Sequence, residues 1–160
     1  MNNEQDAINA ITIGGYMKYQ VGETGRVVVA RFEHEDNILQ GLNEIAKKEN
    51  IRAGTVYLVG GMRSGRFAVG PEKEEIPPVP VLRELKESHE IVGIGTIFWQ
   101  GEEPKIHFHG AYGKFDSVKV GCLRENAETF FILEAIIIEI RGVNAVRELD
   151  PVSNMVLLKL

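Results

Sequence analysis

The chain has 160 residues, of which 44% are hydrophobic and 26% are charged. This composition is typical of one ordinary globular domain and excludes a disordered or fibrous chain. The net charge of −5, from 18 basic and 23 acidic residues without a basic stripe, argues against nucleic-acid binding by this chain alone, since phosphate recognition needs concentrated positive charge.

At the amino terminus, residues 1–10 are predicted to form a loosely docked tail. Residues 1–6 carry acids and amides where a signal peptide would carry basic residues before an apolar stretch. The longest nearly apolar run, 130–140, contains two glutamates and is too short to span a bilayer. The single cysteine permits no intrachain disulfide, which fits a reducing compartment. From these three observations we expect a cytoplasmic protein without membrane contact.

The first half of the chain predicts a strand, a helix and two more strands. Residues 26–32 are rich in β-branched side chains and indicate a buried strand. Polar, cap-competent residues come next, and a helix is predicted from about residue 36 to 48 or 49. Its apolar residues recur at helical spacing: Ile38, Leu42, Ile45 and Ala46. Further strands are predicted over 54–61, which ends in a glycine pair, and over 66–69.

Residues 70–88 differ in composition, with four prolines and a cluster of charges. They predict a surface loop with a little strand structure. We interpret this segment as a loop within one domain spanning 1–160 and not as a domain boundary.

The second half of the chain is predicted to be almost entirely strand. The candidate strands, separated by short polar turns, are 89–98, 105–113, 118–123, 128–141 and 155–160. One helix among many strands in hairpin succession indicates an α+β domain with a mixed, mainly antiparallel sheet. The helix after the first strand argues against a pure β-barrel.

His107 and His109 form the most informative pattern. Side chains two residues apart on a strand leave the same face, so both imidazoles can reach one ion. Either a four-residue loop at 114–117 or a two-residue loop at 115–116 places Cys122 opposite His109. A four-residue loop shifted one position earlier places it opposite His107, and an odd loop would break the arrangement. Two imidazoles and a thiolate predict a site for a divalent metal, most favourably zinc.

The neighbouring strand contributes less to this cluster. Pairing of 90–98 with 105–113 places Thr96 and Ile94 beside the two histidines, with Glu90 on the same face but further away. His89 would then lie more than about 10 Å from His107 at roughly 3.3 Å per residue. We interpret His89 as a surface residue at the entry to the strand.

Three segments resemble the PPC family of plants and prokaryotes, also called DUF296. They are Glu-Ile-Val-Gly-Ile-Gly-Thr-Ile at 90–97, His-Phe-His-Gly at 107–110 and Val-Gly-Cys-Leu at 120–123. The family shows a glutamate before an apolar, glycine-containing strand, then His-x-His, Gly-Gly-His-Leu and a Glu-rich apolar strand, which 128–139 matches. The likeness covers about residues 20–145.

The chain departs from the family pattern at two positions. Cys122 stands where the family has a third histidine, and Val120 replaces the first glycine. The cysteine keeps a ligand at that position, and a thiolate favours zinc. The resemblance implies a PPC-like fold, a homotrimer, and a fold shared with acetolactate decarboxylase, a metal enzyme that uses His-x-His and a further His. The Arg-Gly-Arg-Pro hook of plant members is missing, and we interpret residues 63–66, Arg-Ser-Gly-Arg, as a turn between strands.

These observations favour a metal-binding PPC-type protein of undetermined role, with a small-molecule ligand or a regulatory task. The alternative is a metal-dependent lyase or hydrolase resembling acetolactate decarboxylase, because an ion with an open fourth position can polarise a carbonyl or activate water. Glu90 and Arg63 are then the candidate acid–base groups, although a structural role is expected for each. A DNA-associated module ranks third and would need a basic partner.

The strand at 130–140 predicts an interface. Phe130, Ile132, Ile136, Ile138 and Ile140 alternate with Phe131, Leu133, Ala135 and Ile137, so both faces are apolar. Such a strand must be covered on both sides. One helix covers one face, and either a second sheet of the same chain or a neighbouring subunit covers the other. The PPC resemblance favours subunit packing with threefold symmetry.

Overall fold

The structure, a computed structural model, describes residues 11–13 and 17–160, with side chains from residue 17 onward. The tail predicted over 1–10 lies outside the described residues. The elements in chain order are β1 (Ile11–Ile13), β2 (Met17–Tyr19), β3 (Glu23–Glu33), α1 (Ile38–Lys48), β4 (Ala53–Pro71), β5 (Pro80–Leu85), β6 (His89–Gln100), β7 (Glu103–Lys114), β8 (Ser117–Arg141), β9 (Val146–Asp150) and β10 (Met155–Lys159).

The predicted helix is confirmed as α1. The Asn37 side chain caps it by accepting a hydrogen bond from the Gln40 amide at 2.9 Å, and two lysines occupy its last turn. Ile38, Leu42 and Ala46 are fully buried, so the helical spacing read from the sequence corresponds to the face that packs on the sheet. No helix in the described part of the chain has the length and apolar character needed to cross a membrane.

Six strands form the main sheet in the order β3-β8-β7-β6-β4-β5, and β4 also pairs with β8. The pairings β8–β7, β7–β6, β6–β4 and β4–β8 therefore make a closed circuit. This is possible because β4 and β8 are 19 and 25 residues long, so that their two halves pair with different neighbours. All pairings between the described strands are antiparallel, which confirms the mainly antiparallel α+β prediction without a parallel component.

Two pairs of predicted strands are in fact single long strands. The segments 54–61 and 66–69 join in β4, so residues 63–66 are part of a strand and the predicted turn there is wrong. The segments 118–123 and 128–141 likewise join in β8. Register shifts in the β4–β8 pairing and a left-handed Asn126 (φ 55°) mark the irregularities. Such bulges allow glycine and polar residues within a strand. The sequence pattern is therefore interrupted where the strand itself continues.

Two further differences concern the ends of the sheet. The predicted surface loop over 70–88 is shorter, because Pro80–Leu85 pairs with β4, with Gly65 opposite Leu85, leaving about 72–79 as the connection. Strand β9 was not predicted. It forms a separate hairpin with β10, in which Val146 lies opposite Lys159.

The two faces of the carboxyl-terminal half of β8 differ as the sequence indicates. Leu133, Ala135 and Ile137 are fully buried on the inner face, whereas Ile136 is 44% exposed on the outer face. The sequence pattern groups Phe131 with these inner residues, but Phe131 is 70% exposed. Its backbone is left-handed (φ 63°), which breaks the alternation of the strand at that point.

The outer face carries a continuous row of side chains across the sheet, which we call the outer row. Strand pairing places its members side by side in the order Val29, Ile136, Tyr57, Ile94, His109 and Cys122. The four apolar members before His109 are between 43% and 76% exposed. The hairpin β9–β10 covers only one end of this face, where Ala145 and Leu160 pack with Ala53 and Phe98. Within the described part of the chain, this second sheet therefore covers part of the face but not the outer row.

Glu139 forms the main ion cluster of the sheet. Its carboxylate accepts bonds from the Arg26 Nε at 3.0 Å, the Arg26 amide at 3.0 Å and the Arg141 Nε at 3.0 Å, and its side chain is 10% exposed. Arg26 also donates to the Glu49 carbonyl at 2.6 Å, which ties β3 to the end of the helix. The Arg26 bonds lower the pKa of Glu139 to about 2.

This cluster predicts a pH dependence of folding. Because the folded-state pKa of Glu139 is below its ordinary value of 4.5, its contribution is present above pH 4.5 and lost as the pH falls towards 2. We expect Glu139→Gln to lower the urea midpoint at pH 7 and to flatten its change between pH 4.5 and 2. Glu148→Gln, at a pair that is 50% exposed on the glutamate side, is the control. Equal pH profiles for wild type and Glu139→Gln would contradict this assignment.

Candidate metal centre

Strand β7 presents His107 and His109 together on the outer face. The residue between them, Phe108, points inward and is fully buried. Its ring lies against Gly93 and Gly95 of β6, where an added Cβ atom would collide with it. The glycines of the Ile-Val-Gly-Ile-Gly segment thus make room for Phe108, and the Phe108 anchor determines which face the two histidines occupy.

Strand β8 brings Cys122 to the same face. Ser117 pairs with Lys114, so the hairpin loop is the two-residue one at 115–116, and His109 lies opposite Cys122. That register prediction is confirmed, as is the pairing of Thr96 with His107 and of Ile94 with His109. The ligand atoms of His107, His109 and Cys122 all lie within 4.8 Å of one another.

The spacing of these atoms suits one ion. The two imidazole Nε2 atoms are 3.1 Å apart, and the rings are nearly perpendicular at 79°. Two nitrogens bound to one tetrahedral zinc at 2.0–2.1 Å lie about 3.3 Å apart, and a sulfur at 2.3 Å lies slightly further from each. Only small side-chain movements separate the present cluster from that geometry.

The electrostatics distinguish the three groups. Partial desolvation of the His107 ring, whose side chain remains exposed, lowers the pKa of this imidazole, and the positive charges of Arg147, His109 and Arg124 lower it further, which keeps it neutral and able to coordinate. Burial raises the pKa of the Cys122 thiol, against the opposing effect of Arg124 and Arg147. The thiol is 6% exposed and is therefore protonated until an ion displaces its proton.

Two arginines near the cluster were not anticipated from the sequence. Arg147, on β9, is 8% exposed and donates to the Thr96 hydroxyl at 3.0 Å. Arg124 follows Cys122 by two residues and is exposed. The i to i+2 spacing from Cys122 was the available signal for Arg124. Nothing in the local sequence indicated Arg147, since its strand was not predicted.

The other residues considered from the sequence lie away from the cluster. His89 is 8% exposed, with its Nδ1 2.7 Å from the Glu87 carbonyl, so the prediction of a surface residue is wrong. Glu90 lies opposite Gly113, four residues along β7 from His109, or about 13 Å at strand spacing. Arg63 forms ion pairs with Glu35 and Glu128. Neither acid–base candidate reaches the site within one chain.

The fold and the cluster together define a class of protein. It is a small, strand-dominated α+β domain that carries two imidazoles and a thiol of metal-ligand type on one sheet face. Among the described residues no fourth His, Cys, Asp or Glu completes this group, so an ion held there would keep a coordination position open.

The chain belongs to the PPC family: residues 19–141 match the family model described as the Plants and Prokaryotes Conserved (PCC) domain. A comparison with curated protein sequences gives no match. The matched residues end before β9, the strand that carries Arg147.

Similar solved structures support the fold. A metal-containing protein from Archaeoglobus fulgidus is 24% identical, with a TM-score of 0.78 over 90% of this chain and 100% of that one. A plant- and prokaryote-conserved protein from Pyrococcus horikoshii is 23% identical, with a TM-score of 0.75 over 90% and 99%. A proposed DNA-binding protein from Ralstonia eutropha JMP134 is 22% identical, with a TM-score of 0.68 over 82% and 90%.

Proposed function

We propose that this protein is a cytoplasmic, zinc-binding member of the PPC family, with His107, His109 and Cys122 as the protein ligands. The observation that carries the proposal is the convergence of three ligand atoms within 4.8 Å. The description of the Archaeoglobus relative as metal-containing is consistent with it. The mixed nitrogen and sulfur donor set favours zinc over magnesium or calcium, which prefer oxygen ligands.

Elemental analysis of protein purified without an affinity tag tests this proposal. We expect about one zinc ion per chain, because a three-residue cluster binds a single ion. Protein that remains metal-free after incubation with zinc at neutral pH would contradict it.

We further propose a homotrimer in which the outer row packs against neighbouring subunits. The exposed Val29, Tyr57 and Ile94 support this, because apolar side chains that continue across several strands mark an association surface. The row ends at His109 and Cys122, so a neighbouring chain on this surface would also shield the metal centre.

A metal-dependent lyase or hydrolase is the second candidate function. The observation that favours it is the exposure of both histidines, which leaves an ion accessible to solvent or substrate. Glu90 and Arg63 do not reach the cluster in one chain, so an acid–base group would have to come from another subunit. A structure of the zinc-loaded protein decides between the candidates: a fourth protein ligand indicates a structural ion, and a bound water in an open pocket indicates an enzyme.

DNA binding by the chain alone is expected to be undetectable. The net charge is −5, and the arginines of residues 63–66 are paired with carboxylates, Arg63 with Glu35 and Arg66 with Glu125. In a mobility-shift measurement with random duplex DNA at physiological salt, micromolar protein should produce no shift. A clear shift that weakens with salt would overturn this expectation and favour the DNA-associated module.

A further inference from the structure

Arg147 is a buried cation for which the described residues provide no carboxylate partner. It is 8% exposed, although arginine is rarely buried to this degree unless paired. Within the part of the chain that the structure describes, no carboxylate oxygen lies within 4.0 Å of its guanidinium. Its contacts are one hydrogen bond to Thr96 and the ring of Phe98, 5.8 Å from the guanidinium carbon. Most of its donors are therefore available to a ligand.

The guanidinium lies beside the metal ligands. Its Nη2 donates to the Thr96 hydroxyl at 3.0 Å, and Thr96 lies directly opposite His107 in the β6–β7 pairing. Directly opposed side chains have Cβ atoms about 5 Å apart. The closeness is also seen in the influence of the Arg147 charge on the pKa of both His107 and Cys122.

The surroundings of the cluster are positive. Arg124, two residues after Cys122 on β8, adds a second positive charge. A divalent ion bound by two neutral imidazoles and one thiolate keeps a net positive charge. Together with the two arginines, such an ion would make binding of an anion favourable at this place.

We propose that the open position of this metal centre binds the carboxylate of a small molecule, with one oxygen on the ion and the other on the Arg147 guanidinium. This inference rests on the proposed zinc site. A carboxylate satisfies both partners, because its oxygens coordinate zinc and its planar fork matches the guanidinium. The hairpin β9–β10, which lies beyond the matched residues 19–141, then provides one of the ligand-binding residues.

Cobalt-substituted protein provides the test, because cobalt in a site with a thiolate ligand absorbs in the visible range and reports its own coordination. Acetate and malonate are titrated into the cobalt protein at constant ionic strength set with sodium perchlorate. We expect a saturable spectral change in wild type. In Arg147→Gln the dissociation constant should rise about 10-fold to 100-fold, the usual effect of losing a charge-assisted hydrogen bond, with the cobalt content unchanged.

Two further variants keep the test valid if Arg147→Gln disturbs the hairpin. Arg147→Lys retains the charge but loses the fork and should give an intermediate affinity. Thr96→Val removes the hydroxyl that orients the guanidinium and should weaken binding by a smaller factor. Arg31→Gln removes an exposed charge on β3 and is the matched control, for which we expect the wild-type dissociation constant.

The outcomes separate the two proposals. Wild-type protein that acquires no cobalt spectrum overturns the metal centre and the carboxylate site with it. A cobalt spectrum that carboxylates leave unchanged, or an affinity equal in wild type and Arg147→Gln, overturns the carboxylate site alone and leaves Arg147 as an anchor of the hairpin.

Discussion

Replacement of His109 by alanine is expected to reduce the zinc content of the purified protein from about one ion per chain to near zero. A complete zinc site contributes roughly 10–16 kcal/mol at neutral pH, so one ligand of three or four contributes on the order of 3–4 kcal/mol. The affinity for zinc should therefore fall by a factor of about 200 to 1000. His109 is the central member of the cluster, with its Nε2 3.1 Å from the His107 Nε2 and its position opposite Cys122.

Competition with a chromophoric zinc chelator measures this loss. Because His109 is exposed, His109→Ala should fold normally, and any change in metal affinity is then attributable to the ligand. Cys122→Ser keeps the size of the buried side chain but replaces the soft sulfur donor, so we expect the affinity for zinc to fall in this variant as well. His34→Ala is the control: this histidine accepts a bond from the Phe131 amide and is not part of the cluster. A zinc affinity in His109→Ala equal to that of wild type would refute the assignment of the ligands.

Replacement of Val29 by glutamate is expected to lower the mass of the protein in solution to one third, from that of a trimer to that of a single chain. Light scattering of the wild type should give about three times the chain mass of 17.8 kDa. Val29 is 76% exposed at the start of the outer row, so glutamate there costs little in a single chain. In a subunit interface it would bury a charge among apolar side chains, which costs several kcal/mol.

The same substitution at another exposed valine controls for a general effect of charge. Val152 is 70% exposed in the connection between β9 and β10 and does not belong to the outer row. Val152→Glu should keep the trimer mass, whereas Val29→Glu should give a mass near 17.8 kDa. A wild-type monomer at micromolar concentration would defeat the trimer and any site shared between subunits.

Local patterns allowed the helix and the metal cluster to be predicted. The helix follows from a capping side chain and apolar residues at a spacing of three and four, both of which act within one turn. For an even loop, the two-residue periodicity of strands and the short connection between them limited the partner of Cys122 to His109 or His107, and the structure has His109 there. These interactions depend on residues close in sequence, which is why they could be derived without a structure.

Sequence patterns failed where distant segments decide the conformation. The continuity of β4 and β8 through their irregularities depends on a pairing between residues such as Ser64 and Glu128, far apart in the chain. The burial of His89 depends on its position in the assembled sheet, where it pairs with Met62. Strand β9 is five residues long and reads Val-Arg-Glu-Leu-Asp, a polar segment that becomes a strand through its partner β10.

The sequence by itself therefore determined the α+β class and the helix, and for every even hairpin loop it placed His107, His109 and Cys122 on one face. It did so because strand alternation and hairpin register are properties of neighbouring residues. Only the tertiary structure decided that the outer row is left uncovered by the described chain, and that Arg147 lies beside the cluster of His107, His109 and Cys122. Both depend on where the closed sheet leaves space for the carboxyl-terminal hairpin, which no local pattern specifies.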